Sequence, residues 1–209
     1  DVPSVDSFRR PPRLSLAIRG VGGQGNLFFG KVLAQVAFLA GYDDRNILKG
    51  ETHGMAQMGG PVISTFGCGE VFSPALVPGT ANVLIAMEKA EVLRPGFLDL
   101  LEPGGTVLMA DTRILPHGLK PEAYPSDEAI AAQLEGYRVV SVDVLSIALN
   151  LGDPKGRCAN VAMLGVLSTL PPFDVVPEAV WLQALRGISR KPALWDLNHA
   201  AFMAGRGMQ

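Results

Sequence analysis

Apolar positions along this chain follow two rhythms that trade places. Residues 14–19, LSLAIR, form a short apolar run leading straight into GVGGQG, and NLFFGKVLAQVAFLA then carries apolar residues at helical spacing up to Gly41. A continuous run followed by a 3.6-residue period reads as strand, glycine turn and helix. The runs at 83–87 (VLIAM), 106–111 (TVLMAD) and 137–144 (YRVVSVDV) are short, rich in branched residues and bounded by Gly, Pro or charge, as buried parallel strands are. Between them EKAEVLR (88–94) predicts a helix cut by Pro95 and resuming as GFLDLL. SDEAIAAQLEG (126–136) predicts another, with a cap at Ser126 and a stop at Gly136.

The stretch 61–74, PVISTFGCGEVFSP, sets GCG between two branched or aromatic runs, which predicts a hairpin or a bulged edge strand and makes the sheet mixed. From about residue 160 the texture turns helical: ANVAMLGVLSTL, with Asn160 as its natural N-cap, PEAVWLQALRGI with Pro177 at its start, then PALWDLNHAAFMAGR. The expected fold is α/β: a three-layer, Rossmann-like open mixed sheet with helices on both faces and a helical C-terminal section. Residues 14–209 read as one domain, and residues 1–13, rich in Pro and Arg, as a loose N-terminal segment or linker.

Composition narrows the function. Hydrophobic residues make up 48% of the 209 and charged ones 18%, with formal net charge -2, so a sizeable core is expected and no basic footprint for nucleic acid is visible. The longest apolar stretches fall short of the roughly 20 residues that span a bilayer, and the N-terminal residues lack a signal-peptide apolar core, which makes the cytoplasm the default location. Cys68 and Cys158 stand far apart without a CxxC, as reduced buried thiols do, and cannot supply four cluster ligands. His53, His117 and His199 have no context that nominates a catalytic triad, and His53 has no second His or Cys at metal-ligand spacing. No catalytic residue and no metal ligand is therefore nominated.

Gly20, Gly22 and Gly25 satisfy G-x-G-x-x-G between a strand and a helix, where the pattern allows a tight turn, room for a phosphate and close helix packing. The helix start at Asn26 would offer N–H groups to an anion. A dinucleotide site further needs an acid after the second strand. Asp43 and Asp44 lie at about the right distance but follow Gly41 too closely for a strand to precede them. The plain structural reading is that these glycines only let the strand turn and the helix pack. Glu88 after VLIAM, and Asp111 with Thr112 after TVLMA, sit where α/β sheets place working residues, though such acids more often cap the next turn. Trp181 and Trp195 read as core or subunit contacts.

GVGGQGNLFFGKVL, GETHGMAQMGGPV, PGGTVLMADT and CANVAMLGVL, in that order, resemble the gamma subunit or gamma domain of the 2-oxoacid:ferredoxin (acceptor) oxidoreductases. The likeness is nearest to the indolepyruvate type, where this unit is the small beta subunit, and it covers the chain from about Leu14 to the last helices. The resemblance implies oxidative decarboxylation of a 2-oxoacid, here an aryl one such as indolepyruvate, to the acyl-coenzyme A. It also implies that thiamine diphosphate, Mg2+ and [4Fe-4S] clusters are held by partner subunits, with electrons passing to ferredoxin or a similar acceptor. No GDG-type element and no cysteine cluster occurs here, so this chain would be a subunit inactive alone.

The resemblance assigns cofactor binding, with coenzyme A at the interface, to Gly20, Gly22, Gly23, Gln24, Gly25, Asn26 and Lys31. Lys31 matches a lysine that pyruvate-type relatives carry after a similar turn. It assigns an interface loop to Glu51, His53, Met55, Gln57, Gly59 and Gly60. One reading of residues 51–60 is a polar cluster of Glu51, His53 and Gln57 outside the strand ends. The other is a loop closing the sheet edge, with Met55 and Met58 packing on another subunit. Two rivals stay open: a stand-alone NAD- or FAD-binding oxidoreductase domain, and a purely structural assembly subunit that touches no cofactor.

Overall fold

A six-stranded sheet in the order β2-β3-β1-β4-β5-β6 organises the chain in the computed structural model, which describes residues 8–21, 26–53, 61–115, 120–189 and 191–208. The strands are β1 (Arg13–Val21), β2 (Ile47–His53), β3 (Pro61–Gly69), β4 (Ala81–Ala86), β5 (Leu101–Ala110) and β6 (Arg138–Val142). The helices are α1 (Asn26–Leu39), α2 (Asp127–Gln133), α3 (Val144–Asn150), α4 (Ala159–Leu167), α5 (Glu178–Ile188) and α6 (Pro192–Arg206). β1, β4, β5 and β6 pair in parallel, while β3 is antiparallel to both β1 and β2, so the sheet is mixed as expected.

Because successive side chains alternate across a pleated strand, the apolar runs feed two cores. Leu14, Leu16 and Ile18 of β1, Val83 and Ile85 of β4, and Leu108 and Ala110 of β5 pack with buried residues of α1, α4, α5 and α6. Ala17, Leu84, Ala86, Val107 and Met109 point the other way, onto Val92, Phe97, Leu98 and the α2 residue Ile130. Burial on both faces is why these strands read as unbroken apolar runs. Trp181 lies fully buried in the larger core, whereas Trp195 packs at its edge beneath the Arg186 guanidinium, 4.7 Å from the ring centroid. α4 and α6 cross very closely: a Cβ on Gly165 would stand 2.1 Å from the Phe202 carbonyl oxygen, and one on Gly205 2.0 Å from that of Ala162.

Several expectations are corrected. The segment 88–94 forms a 3-10 turn, Lys89–Leu93, and 98–100 a second, so α2 and these 3-10 turns cover the smaller core, with Leu76 and Tyr124 packed against it. Glu91 and Val92 are buried in that turn, an arrangement that follows tertiary packing over helical period. The segment 137–144 ends its strand at Val142; Asp143 then caps α3 through its carboxylate, which accepts from the Ser146 N–H at 3.0 Å. GCG is no hairpin turn. Gly67 and Cys68 lie within β3, which is an inner strand, and β3 stops at Gly69 with φ +85°. The hairpin partner is β2, a strand that the periodicity does not announce. Asn160 is inside α4, and the N-cap position falls to Cys158. β1 begins at Arg13. The end of the lead-in is tied down: the Tyr42 hydroxyl donates to the Pro11 carbonyl at 2.7 Å, and the Glu70 N–H to that of Pro12 at 2.8 Å.

Candidate functional site

Of the residues singled out by the sequence, Gly20 and His53 stand at the same end of the sheet. Gly20 and Val21 end β1 and pair with Val62 and Pro61 at the start of β3, while His53 at the end of β2 pairs with the same Val62. Residues 22–25 leave from Val21, and residues 54–60 join His53 to Pro61, so both segments depart from one end of three adjacent strands. Gly22, Gly23, Gln24 and Gly25, and Met55, Gln57, Gly59 and Gly60, lie outside the described residues. Of the loop reading, Glu51 and His53 are corrected: both belong to β2. β2 is an edge strand, ILKGETH, whose exposed Lys49 and Glu51 follow the charged pattern of such edges and carry no apolar period.

Lys31 is exposed on α1, the helix that begins at Asn26. It lines a cleft of about 260 Å³ together with Lys49, Glu51, Ser64 and Thr65, where α1 passes over β2 and β3. Lys49 was not nominated by sequence reasoning, since nothing in its neighbourhood marks a strand. The hydroxyl of Ser64 is buried there without a hydrogen-bond partner among the described residues. Two ammonium groups and the Glu51 carboxylate line this cleft beside the backbone of Gly30 and Gly50.

On the other side of β1 the strand ends are locked by ionic contacts. Arg19 donates from Nε to Glu91 Oε2 at 3.0 Å and lies 5.8 Å from the Phe97 ring centroid, and Arg94 meets the second Glu91 oxygen at 3.2 Å. The Met87 N–H bonds the Arg19 carbonyl at 2.9 Å. Glu88 is buried and accepts from the Ala90 N–H at 3.0 Å, the Ile114 N–H at 3.4 Å and the Tyr124 hydroxyl. Burial pushes its carboxyl above the usual carboxylate range against these hydrogen bonds. It caps the following turn, as the sequence suggested. Asp111 meets Lys89 at 2.5 Å, and Lys89 also reaches Asp127 at 3.3 Å. The Arg19–Glu91 pair had one signal in sequence, a charge ending an otherwise apolar strand just before the glycine turn.

No group of three His, Cys, Asp or Glu that could hold a metal ion occurs among the described residues. Cys68 and Cys158 are free and buried. These residues do not fit an iron–sulfur cluster or the Mg2+ of thiamine diphosphate. No helix among the described residues is long and apolar enough to cross a membrane. The strand order also bears on dinucleotide binding: β3 intervenes between β1 and β2, so an acid ending β2 stands two strands from the glycine turn, twice the spacing that a ribose contact uses.

Comparison with known proteins gives a consistent picture. The chain is 35% identical over 159 residues to the indolepyruvate oxidoreductase subunit IorB of Archaeoglobus fulgidus, covering 74% of this chain and 76% of that one. In fold it is similar to the pyruvate oxidoreductase subunit PORC of Thermotoga maritima, with TM-score 0.69 at 20% identity over 94% of this chain and 97% of that one. It is also similar to part of the 2-oxoglutarate:ferredoxin oxidoreductase of Magnetococcus marinus, solved with 2-oxoglutarate, coenzyme A and succinyl-CoA bound. There the TM-score is 0.69 at 19% identity, over 95% of this chain and 31% of that one. The model of the pyruvate ferredoxin/flavodoxin oxidoreductase family matches residues 15–208, and the chain belongs to that family.

Proposed function

We propose that this chain is the small, cluster-free subunit of an indolepyruvate-type 2-oxoacid oxidoreductase working in the cytoplasm on an aryl 2-oxoacid. Its working unit is the domain 14–209. Thiamine diphosphate, Mg2+ and the [4Fe-4S] clusters belong to partner subunits, and ferredoxin or a similar acceptor is met through the complex. The observation that carries this reading is the backbone pairing of Val21 with Pro61 and of His53 with Val62, which sends both family-like segments out from one end of the sheet. That end becomes the docking side, with residues 54–60 as an interface loop. Leu27 and Phe38, exposed on α1 beside Lys31, supply apolar surface for a neighbour to cover.

Coenzyme A, when bound, supplies a thiol to which the acyl group is passed. Gly20, the 22–25 turn, the start of α1 and Lys31 would receive its phosphates, with Lys49 as a second cation in the same cleft. The stand-alone NAD or FAD reading has against it the strand that separates β1 from β2. Two measurements test the proposal. Copurification from the native source should recover thiamine-binding and cluster-binding subunits, and a stable monomer would overturn it. Assay of the complex with methyl viologen, with Lys31→Ala in place, should show a raised apparent KM for coenzyme A at unchanged KM for the 2-oxoacid. An unchanged coenzyme A affinity leaves the purely structural assembly role.

A further inference from the structure

A second cleft opens at the carboxyl ends of β4, β5 and β6, on the far side of β1 from Lys31. Its volume is about 450 Å³, and the described residues lining it include three cations, Arg113, Lys155 and Arg157, and no carboxylate. That is an uneven distribution in a chain whose formal net charge is -2. Three strand ends and two loops build it: Met87 follows β4, Thr112 and Arg113 follow β5, and Leu145 stands in the first turn of α3 after β6. The fourth wall is the start of α4, where Ala159 and Asn160 line the cleft and the Ala159 and Val161 N–H groups bond the Gly156 and Cys158 carbonyls at 3.2 and 3.0 Å.

The nearby acids are already engaged, Asp153 and Asp127 by cations of this cleft. Asp153 is buried and accepts from the Cys158 N–H at 2.8 Å, with Arg157 Nε at 3.7 Å, and Asp143 is spent on capping α3. Arg113 is held by Asp127 at 2.5 Å, with its guanidinium 5.6 Å from the Tyr124 centroid, which fixes its place at the rim. A further polar group there has no partner among the described residues: Thr112 is 8% exposed, and its hydroxyl is buried without a hydrogen bond. Three cations and an unsatisfied hydroxyl on a partly apolar cavity, at the end of the sheet where open α/β folds take ligands, are the chemistry of oxyanion recognition.

We propose that this cleft binds a phosphate-bearing small molecule, at a site separate from the Lys31 cleft. Lys155 and Arg157 take the phosphate, while Met87 and Leu145 offer an apolar wall to whatever organic group it carries. The inference does not depend on the coenzyme A reading.

The test is calorimetric titration of the full chain at low ionic strength with inorganic phosphate, phenyl phosphate and glutarate. Saturable phosphate binding is expected, weakened about tenfold by Lys155→Gln or by Arg157→Gln and unchanged by Lys191→Gln, an exposed cation outside both clefts. Lys155 and Arg157 are exposed, and unchanged circular dichroism and thermal midpoint of Lys155→Gln keep the comparison clean. Tighter binding of phenyl phosphate than of inorganic phosphate identifies an organic phosphoester as the ligand, and equal binding identifies phosphate itself. The proposal fails if nothing saturates by about 10 mM phosphate. It fails equally if glutarate binds as tightly, or if Lys31→Gln removes the signal and Lys155→Gln does not.

Discussion

Arg19 and Glu91 form an ion pair at 3.0 Å with side chains only 10% and 2% exposed, tying the end of β1 to the turn after β4. The pair sits where the chain leaves β1 toward β2 and returns through β4 on the other side, so it closes the smaller core at the end of β1. Charges removed from water this far are costly when left alone, and removing one partner of a buried pair costs about 3–5 kcal/mol. Glu91→Ala is therefore expected to lower the thermal midpoint by roughly 10 °C. The double variant Arg19→Met, Glu91→Leu should recover much of that loss. Calorimetric melting checks both, and equal loss in the single and double variants would show that packing, not charge, holds this corner.

The crossing of α4 and α6 depends on two missing side chains. Gly165 and Gly205 each face the backbone of the other helix at distances where a Cβ would overlap a carbonyl oxygen. Gly→Ala in an exposed helix stabilises by up to about 1 kcal/mol, so the expected sign here is opposite to the propensity rule. Either substitution must push the helices apart and should cost about 3 kcal/mol or more by chemical denaturation. A stabilised Gly205→Ala would mean that the helices have room to slide.

How much of this was legible in sequence depended on whether a segment's environment was set locally. β1, β4, β5 and α5 were readable because buried strands are continuous apolar runs, and an amphipathic helix keeps one period. β2 was not, because ILKGETH lies at the sheet edge with only Ile47 and Leu48 to bury, and Lys49 entered the Lys31 cleft unannounced. The 3-10 turns after β4 were mistaken for a helix since KAEVL has helical residues. Its burial of Glu91 answers to Arg19, a partner 72 positions away that no local pattern contains. The cationic cleft likewise draws Arg113 from one loop and the Lys155 and Arg157 pair from another.

Glu88 predicts a pH dependence of defined sign. Burial raises its carboxyl in the folded chain, so the folded state holds a proton that the unfolded chain has already released. Stability is greatest below the ordinary glutamate range and falls as pH rises through the interval between the unfolded and the raised folded value. Glu88→Gln lacks this titration. The thermal midpoint of the parent should lose ground to that of the variant as pH increases from about 4 toward neutrality. A difference that stays flat over that interval would show that the three hydrogen bonds to Glu88 outweigh its burial.

The two thiols give the last prediction. Burial lifts Cys68 to about 12 and Cys158 to about 11, the latter with help from the neighbouring Asp153 carboxylate. Reactivity follows the thiolate, which is scarce in both at pH 8, and both sulfurs are enclosed by the larger core. The folded chain should therefore be inert to Ellman's reagent at pH 8 and release two equivalents when denatured, one for each cysteine in the sequence. The same shifts make the folded state lose stability as pH climbs past the unfolded thiol value, because only the unfolded chain can ionise there. Melting between about pH 7 and 10 should show that decline, and Cys68→Ala should reduce its slope. Rapid labelling of the folded chain would place at least one thiol at the surface and remove the basis for both expectations.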